Sequence, residues 1–259
     1  MSGTVKKALA LLDLVGRGHR NLVELSEASG MPKSTVHRLV RTLVDCGYLS
    51  TDRHELRIGY KVLELGQSPH GMHHVAAVAR PHMEALAEKT CETIHLGALD
   101  GADIVYLDKV DGTRGLQMVS RIGVRTTAQV TALGKVLIAH LAEADWPSYV
   151  ALKIQPRTPH TVVDRADVYA MLRDARAVGY AYDDQENELG IRCVASPVWG
   201  PAGRVVAAIS LSGATVYISD DRRQSLAHDV AECARRIAVS LGGGRFVDGA
   251  RSAIHPEQP

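Results

Sequence analysis

Lys33, Ser34, Thr35, His37, Arg38 and Arg41 crowd into the stretch GMPKSTVHRLVRTLVDCG, from Gly30 to Gly47, with no acid until Asp45. Arginine reads guanine edges, and short hydroxyls tie down phosphates. The same stretch sets Val36, Leu39, Val40, Leu43 and Val44 at helical spacing, which predicts an apolar back behind a cationic front. A helix of that kind suits the major groove of DNA.

The elements around it must hold that helix in place. Val5, Ala8, Leu9, Leu12 and Val15 predict a first helix on one apolar stripe, ended by Gly16 and Gly18. Asn21 and Glu24 form a capping-box pattern that opens a second helix, with Leu22, Leu25 and Ala28 turned inward. Gly30 stops that helix, and Pro32 starts the next one. The short link between them predicts a helix-turn-helix. Residues 48–50 and 56–58 then read as two short strands of a wing, whose Arg53 or Arg57 would reach a phosphate or the minor groove.

Composition agrees with two modules. The first 68 residues hold ten Lys/Arg against seven Asp/Glu, a net +3 that leaves −2 for the rest of the chain. A basic head on a slightly acidic body fits one nucleic-acid module joined to something else. The chain is 46% apolar and 23% charged, an ordinary globular balance. Four scattered cysteines without a CxxC pair, and the lack of a signal-peptide pattern or a spanning apolar run, predict free thiols and a cytoplasmic protein. His70, His73 and His74 lie in GQSPHGMHH, read as a solvated linker rather than a metal site.

Beyond the linker the pattern predicts α+β structure. A helix ends near Thr90, and strands at 93–99 and 104–110 flank the Asp100-Gly101 turn. A further strand is expected at 116–122, helices at 132–141, 146–152 and 168–178, and strands at 180–183, 193–198 and 205–211. Leu226, Val230, Cys233, Ile237 and Leu241 predict a long terminal helix. Ala132, Leu133 and Gly134 fall at a predicted helix start, where unpaired amides and the helix dipole attract a carboxylate and small residues let it come close. Lys135 supplies a positive charge nearby or faces solvent. Ser210 and Ser212 share one face of their strand.

Taken together these segments resemble the IclR family of bacterial transcriptional regulators over nearly the whole chain. The resemblance rests on Met31-Pro32-Lys33-Ser34-Thr35-Val36-His37-Arg38-Leu39, Arg80-Pro81-His82-Met83, Glu92-Thr93-Ile94-His95-Leu96 and Thr131-Ala132-Leu133-Gly134-Lys135. Gly179-Tyr180-Ala181, the run from Gly190 to Val198, which is the most specific, and the run from Ala207 to Gly213 complete it. Cys91 departs from the pattern, standing where members often carry glycine, which bears on local turn geometry. The resemblance implies a winged helix-turn-helix DNA-binding domain (1–60), a linker helix and hinge (61–74) and a GAF-like effector-binding and oligomerisation domain (75–242), while the glycines and prolines beyond it predict a mobile tail (243–259). It also implies a repressor or activator of catabolic genes, a homodimer that often pairs into a homotetramer, operator DNA with an inverted repeat, and a small organic acid as effector. Members that bind small keto acids use backbone amides matching Ala132 and Leu133 and side chains matching Asp183, Cys193, Ser210 and Ser212. Cys193 also reads as a small buried hydrophobe, and the two serines as partners of nearby backbone. Asp183 repels an anion unless it is protonated or bonded to a hydroxyl.

Two rival classes meet counter-signals. For an enzyme, the chain lacks a G-x-S-x-G elbow, Gly134-Lys135 lacks the rest of a P-loop, and Gly242-Gly243-Gly244 precedes no βαβ unit. No cofactor or metal is predicted. For a protein-interaction module, the cationic face at Lys33, Arg38 and Arg41 is the argument against.

Overall fold

The computed structural model describes residues 3–53, 55–66, 72–114 and 120–243. The chain divides into two compact units, Met1–His74 and Val75–Pro259.

In the first unit, α1 (Gly3–Gly16), α2 (Leu22–Ser29) and α3 (Lys33–Asp45) surround Leu11, Val15, Leu25, Val36, Leu39, Val40 and Leu43. Asn21 caps α2 by accepting from the amides of Val23 and Glu24, both at 3.0 Å. Glu24 reaches back to the Arg20 amide at 2.6 Å, one residue earlier than a regular capping box. Gly30 takes the left-handed φ of 67° that ends α2. The apolar stripe of α1 is rotated from the expected one. Val15 is buried as expected, but Leu11 joins it, while Val5 and Leu9 face solvent, because α1 packs against α3 and the hairpin through its later turns. Ala28 is also exposed, leaving Leu25 as the buried anchor of α2. β1 (Leu49–Asp52) and β2 (Glu55–Ile58) pair antiparallel from Leu49↔Ile58 to Asp52↔Glu55, a tighter hairpin than expected. α4 (Tyr60–Gly66) buries none of its residues.

The second unit is a six-stranded antiparallel sheet ordered β5-β4-β3-β8-β7-β6. Its strands are β3 (Thr93–Asp100), β4 (Asp103–Val110), β5 (Arg125–Thr127), β6 (Ala181–Asp184), β7 (Ile191–Trp199) and β8 (Val205–Ala214). α5 (Met72–Thr90) and α8 (Asp220–Ser240) cover one face, where Met83, Leu86, Leu226, Val230 and Ile237 pack on Ile94, Leu96, Ile209 and Leu211. α6 (Ala132–Ala139) and α7 (Arg165–Val178) cover the other, with Leu133, Val136 and Leu172 against Ile104, Ala195 and Ala208. Three layers of helix, sheet and helix result, an α+β architecture.

Some local expectations change. Of the strand expected at 116–122, residues 116–119 lie outside the described residues, and 120–122 run into a turn where the Val124 amide bonds to the Arg121 carbonyl. The strand forms later, as β5. Residues 146–152 are not an α-helix: a 3-10 turn, Glu143–Ser148, stands there with Pro147 inside it, which lacks the amide that an α-helix would need. His73 and His74 belong to the first turn of α5 rather than to a linker, His70 lies outside the described residues, and no group of three metal-ligating side chains occurs among the described residues. The expected tail, from Gly244 on, also lies outside them. Cys91 has φ 63°, in the region where glycine is at ease, so its departure from the family pattern sits at a left-handed turn.

Candidate functional sites: a basic helix face and a polar row on the sheet

The first site is a surface. Lys33, Ser34, His37, Arg38 and Arg41 are exposed on α3 and Thr35 is half-buried, opposite the buried Val36, Leu39, Val40 and Leu43. None of the six basic and hydroxyl side chains is needed by the core, so they are free to meet a ligand. In the hairpin, Arg53 sits at the turn with φ 46°, while Arg57 pairs with Asp52 at 2.8 Å and approaches Glu55 at 3.9 Å. The wing therefore offers less free positive charge than its two arginines imply.

The second site is made by strand register. Asp183 on β6, Cys193 on β7, Ser212 on β8 and Thr93 on β3 are directly opposite one another across the sheet. Two residues along, the same face presents Ala181, Ala195, Ser210 and His95. Pro197, Ala208, Gly97 and Tyr106 make the next row. α6 lies over this face: a Cβ on Gly97 would stand 3.1 Å from Leu133 Cδ1. All six residues expected at the effector site, Ala132, Leu133, Asp183, Cys193, Ser210 and Ser212, thus belong to one layer between α6 and the sheet.

The start of α6 is open in a specific way. Thr131 Oγ1 accepts from the Gly134 amide at 3.0 Å, and the Lys135 amide bonds to the Thr131 carbonyl. The Ala132 and Leu133 amides have no acceptor among the described residues. Two donors at a helix start, next to a polar row, suit a carboxylate. Gly134 has a different task from the expected one. A Cβ there would stand 2.0 Å from the Ala128 carbonyl oxygen, so its bareness serves the packing of the 3-10 turn Ala128–Val130 and not the approach of a ligand.

Lys135 neither faces solvent nor offers a free charge. It is buried, donates to the Tyr182 carbonyl at 2.7 Å and is ion-paired with Glu186. Asp183 is buried beside this pair and accepts from the amides of Glu186 at 2.8 Å and Asn187 at 3.3 Å. Burial pushes its carboxyl up to about 6, against the opposing pull of Lys135 and those amides. Asp183 is therefore close to taking up a proton near neutral pH, the condition under which it tolerates an anion. Burial, with Asp183 close by, also raises the Cys193 thiol well above its ordinary value, so the thiol is a neutral polar group here rather than a nucleophile.

Two residues of the site escaped sequence reading. His95 is buried, with its ring 5.0 Å from that of Tyr106. Tyr106 stands opposite the bare Gly97 in the strand register, and burial, with the Asp183 carboxylate nearby acting in the same sense, raises its hydroxyl pKa. The alternation Thr93, His95, Gly97 was visible, but not the face it served. For Tyr106 a register shift in the β3–β4 pair breaks the alternation altogether.

Comparison with known proteins places both units in one family. Residues 4–53 match the IclR helix-turn-helix domain, and residues 70–239 match the C-terminal domain of bacterial transcriptional regulator IclR. The chain belongs to the IclR family of bacterial transcriptional regulators. It is 35% identical to the HTH-type transcriptional regulator XynR of Escherichia coli, over 92% of this chain and 97% of that one. To the E. coli DNA-binding transcriptional repressor YiaJ it is 33% identical, over 85% and 80%. The crystal structure of Thermotoga maritima IclR superposes with a TM-score of 0.74 at 30% identity, covering 92% of this chain and 98% of that one. The IclR-family chain is thus a DNA-binding regulator of transcription, and among the described residues no helix is long and apolar enough to cross a membrane.

Proposed function

We propose that this IclR-family chain is a cytoplasmic repressor of catabolic genes whose grip on its operator is set by a small organic acid. The observation that carries the reading is the pairing of an exposed basic face on α3 with a buried, oxygen-rich row under the open start of α6. Lys33, Ser34, Thr35, His37, Arg38 and Arg41 enter the major groove, and Arg53 with Arg57 touch the backbone beside it. The amides of Ala132 and Leu133 hold the effector carboxylate, while Ser210, Ser212, Cys193 and a protonated Asp183 meet its remaining oxygens.

The protein works as a homodimer, with dimers pairing into a tetramer. Val5 and Leu9 on α1 and Tyr60, Leu63 and Leu65 on α4 are exposed apolar side chains of the first unit, the kind of surface a second copy covers. A dimer sets two recognition helices ~34 Å apart, so the operator is an inverted repeat. Effector binding shifts operator affinity by ~1–3 kcal/mol, the usual size of a coupling between sites.

The test uses the full chain. Selection from random duplexes should return an inverted repeat whose binding falls steeply with salt. Thermal-shift screening against small carboxylic acids should find a ligand that stabilises the protein. Arg38→Ala with Arg41→Ala should lose the DNA and keep the ligand shift, and Ser210→Ala with Ser212→Ala should do the reverse. Retained footprinting by the arginine variant would remove those residues from the interface.

A further inference from the structure

His95 is not among the proposed effector contacts, yet it joins the site to a distant stretch of chain. Its Nδ1 lies 3.4 Å from Ser212 Oγ, and its Nε2 lies 2.7 Å from Ser120 Oγ, in the connection between β4 and β5. The ring is buried and stands beside Ser210 in the register of β3 with β8.

We propose that His95 is a positioning residue of the effector site, whose two nitrogens link Ser212 to Ser120 so that an acceptor group bound at Ser212 dictates the hydrogen bond made to Ser120. The proposal rests on the reading of Ser212 as an effector contact. The argument is one of donors and acceptors. Burial, with the nearby Lys109 charge acting in the same sense, lowers His95 to about 3, so the imidazole is neutral: one nitrogen donates and the other accepts. Asp111, which pairs with Lys109 at 2.8 Å, pulls the other way and does not reverse this. A carboxylate or keto oxygen has only lone pairs, so it takes the Ser212 O–H. The Ser212 oxygen then has only lone pairs left for Nδ1, which must carry the proton. Nε2 is left as the acceptor, and the Ser120 hydroxyl must donate to it. No proton is gained or lost; an Nε2–H form reaches this state by moving its proton to Nδ1 through exchange with neighbouring hydroxyls. A ligand hydroxyl that donates to Ser212 imposes no such order.

Full-length protein labelled with 15N-histidine, probed with pyruvate, glycolate and benzoate, tests this. The His95 signals are those missing from His95→Gln. With a stabilising probe bound, His95 should be the Nδ1–H tautomer; the Nε2–H tautomer or a charged ring in the bound state would overturn the proposal. His95→Leu should weaken that probe about tenfold or more, the scale of one lost buried hydrogen bond. Ser120→Ala should weaken it several-fold, although Ser120 is separated from Ser212 by the whole imidazole ring. Equal affinity in wild type, His95→Leu and Ser120→Ala would keep the site and discard the role of His95. If none of the three probes stabilises the wild-type chain, the effector reading fails and the His95 proposal falls with it.

Discussion

The two sites of this regulator put their chemistry on opposite sides of the solvent boundary. On α3 the working side chains point outward from a helix whose back is core, so each can change without unfolding anything. Between α6 and the sheet, Asp183, Ser210 and Ser212 are buried along with Lys135 and Glu186. There the polar groups that would meet a ligand are also groups the fold must satisfy. An exposed site separates stability from function, and a buried one couples them.

The sharpest break of that contrast is Lys135→Met. Removing the cation leaves Glu186 buried and unpaired, which should cost ~3–5 kcal/mol in denaturant unfolding, while Lys135→Met with Glu186→Leu should recover much of it. A loss below 1 kcal/mol would mean that the pair is well solvated.

Asp183→Asn should act in the opposite sense. The carboxyl titrates at about 6 in the fold against an ordinary 3.8, so the folded state holds its proton more tightly than the unfolded one. That penalty on the folded state is absent below the ordinary value and grows as pH rises through about 6. Asparagine, which can still accept from the Glu186 amide, should therefore stabilise the protein by ~3 kcal/mol at pH 8 and by nearly nothing at pH 3.5. By the same sign, anionic effectors should bind wild type more tightly as pH falls through about 6. A stability difference that does not change with pH would remove the proton from the site.

On the exposed side the effects shift from stability to binding. Arg38→Ala should cost ~1–3 kcal/mol of operator affinity and leave the unfolding midpoint nearly unmoved. Smallest of all, Arg57→Ala should weaken DNA binding less than Arg53→Ala and reduce the salt slope by less than one, because Asp52 and Glu55 already occupy its charge. Equal losses for the two wing arginines would show that the Arg57 pair opens on DNA.

Legibility in the sequence followed the same boundary. The caps Asn21 and Gly30, the buried face of α3 and the hairpin at Asp100-Gly101 each arise from neighbours within a few residues, so local pattern revealed them. The stripe of α1 holds at Val15 but not at Val5 and Leu9, because Leu11 offers an adjacent face and only packing against α3 selects between the two. Pro147 turned an expected helix into a 3-10 turn by its missing amide. The six proposed effector-site positions come from resemblance to relatives, since no local signal ties residue 132 to residue 183 or 212.

By itself the sequence determined the basic helix, its caps and the two-module layout, because charge, periodicity and turn chemistry act over one or two turns of chain. The tertiary structure decided that Lys135 belongs to Glu186, that Gly134 makes room for Ala128 and that His95 spans Ser212 and Ser120. The bonded partners among these are 51, 117 and 25 residues apart, and only the tertiary fold brings them within bonding distance.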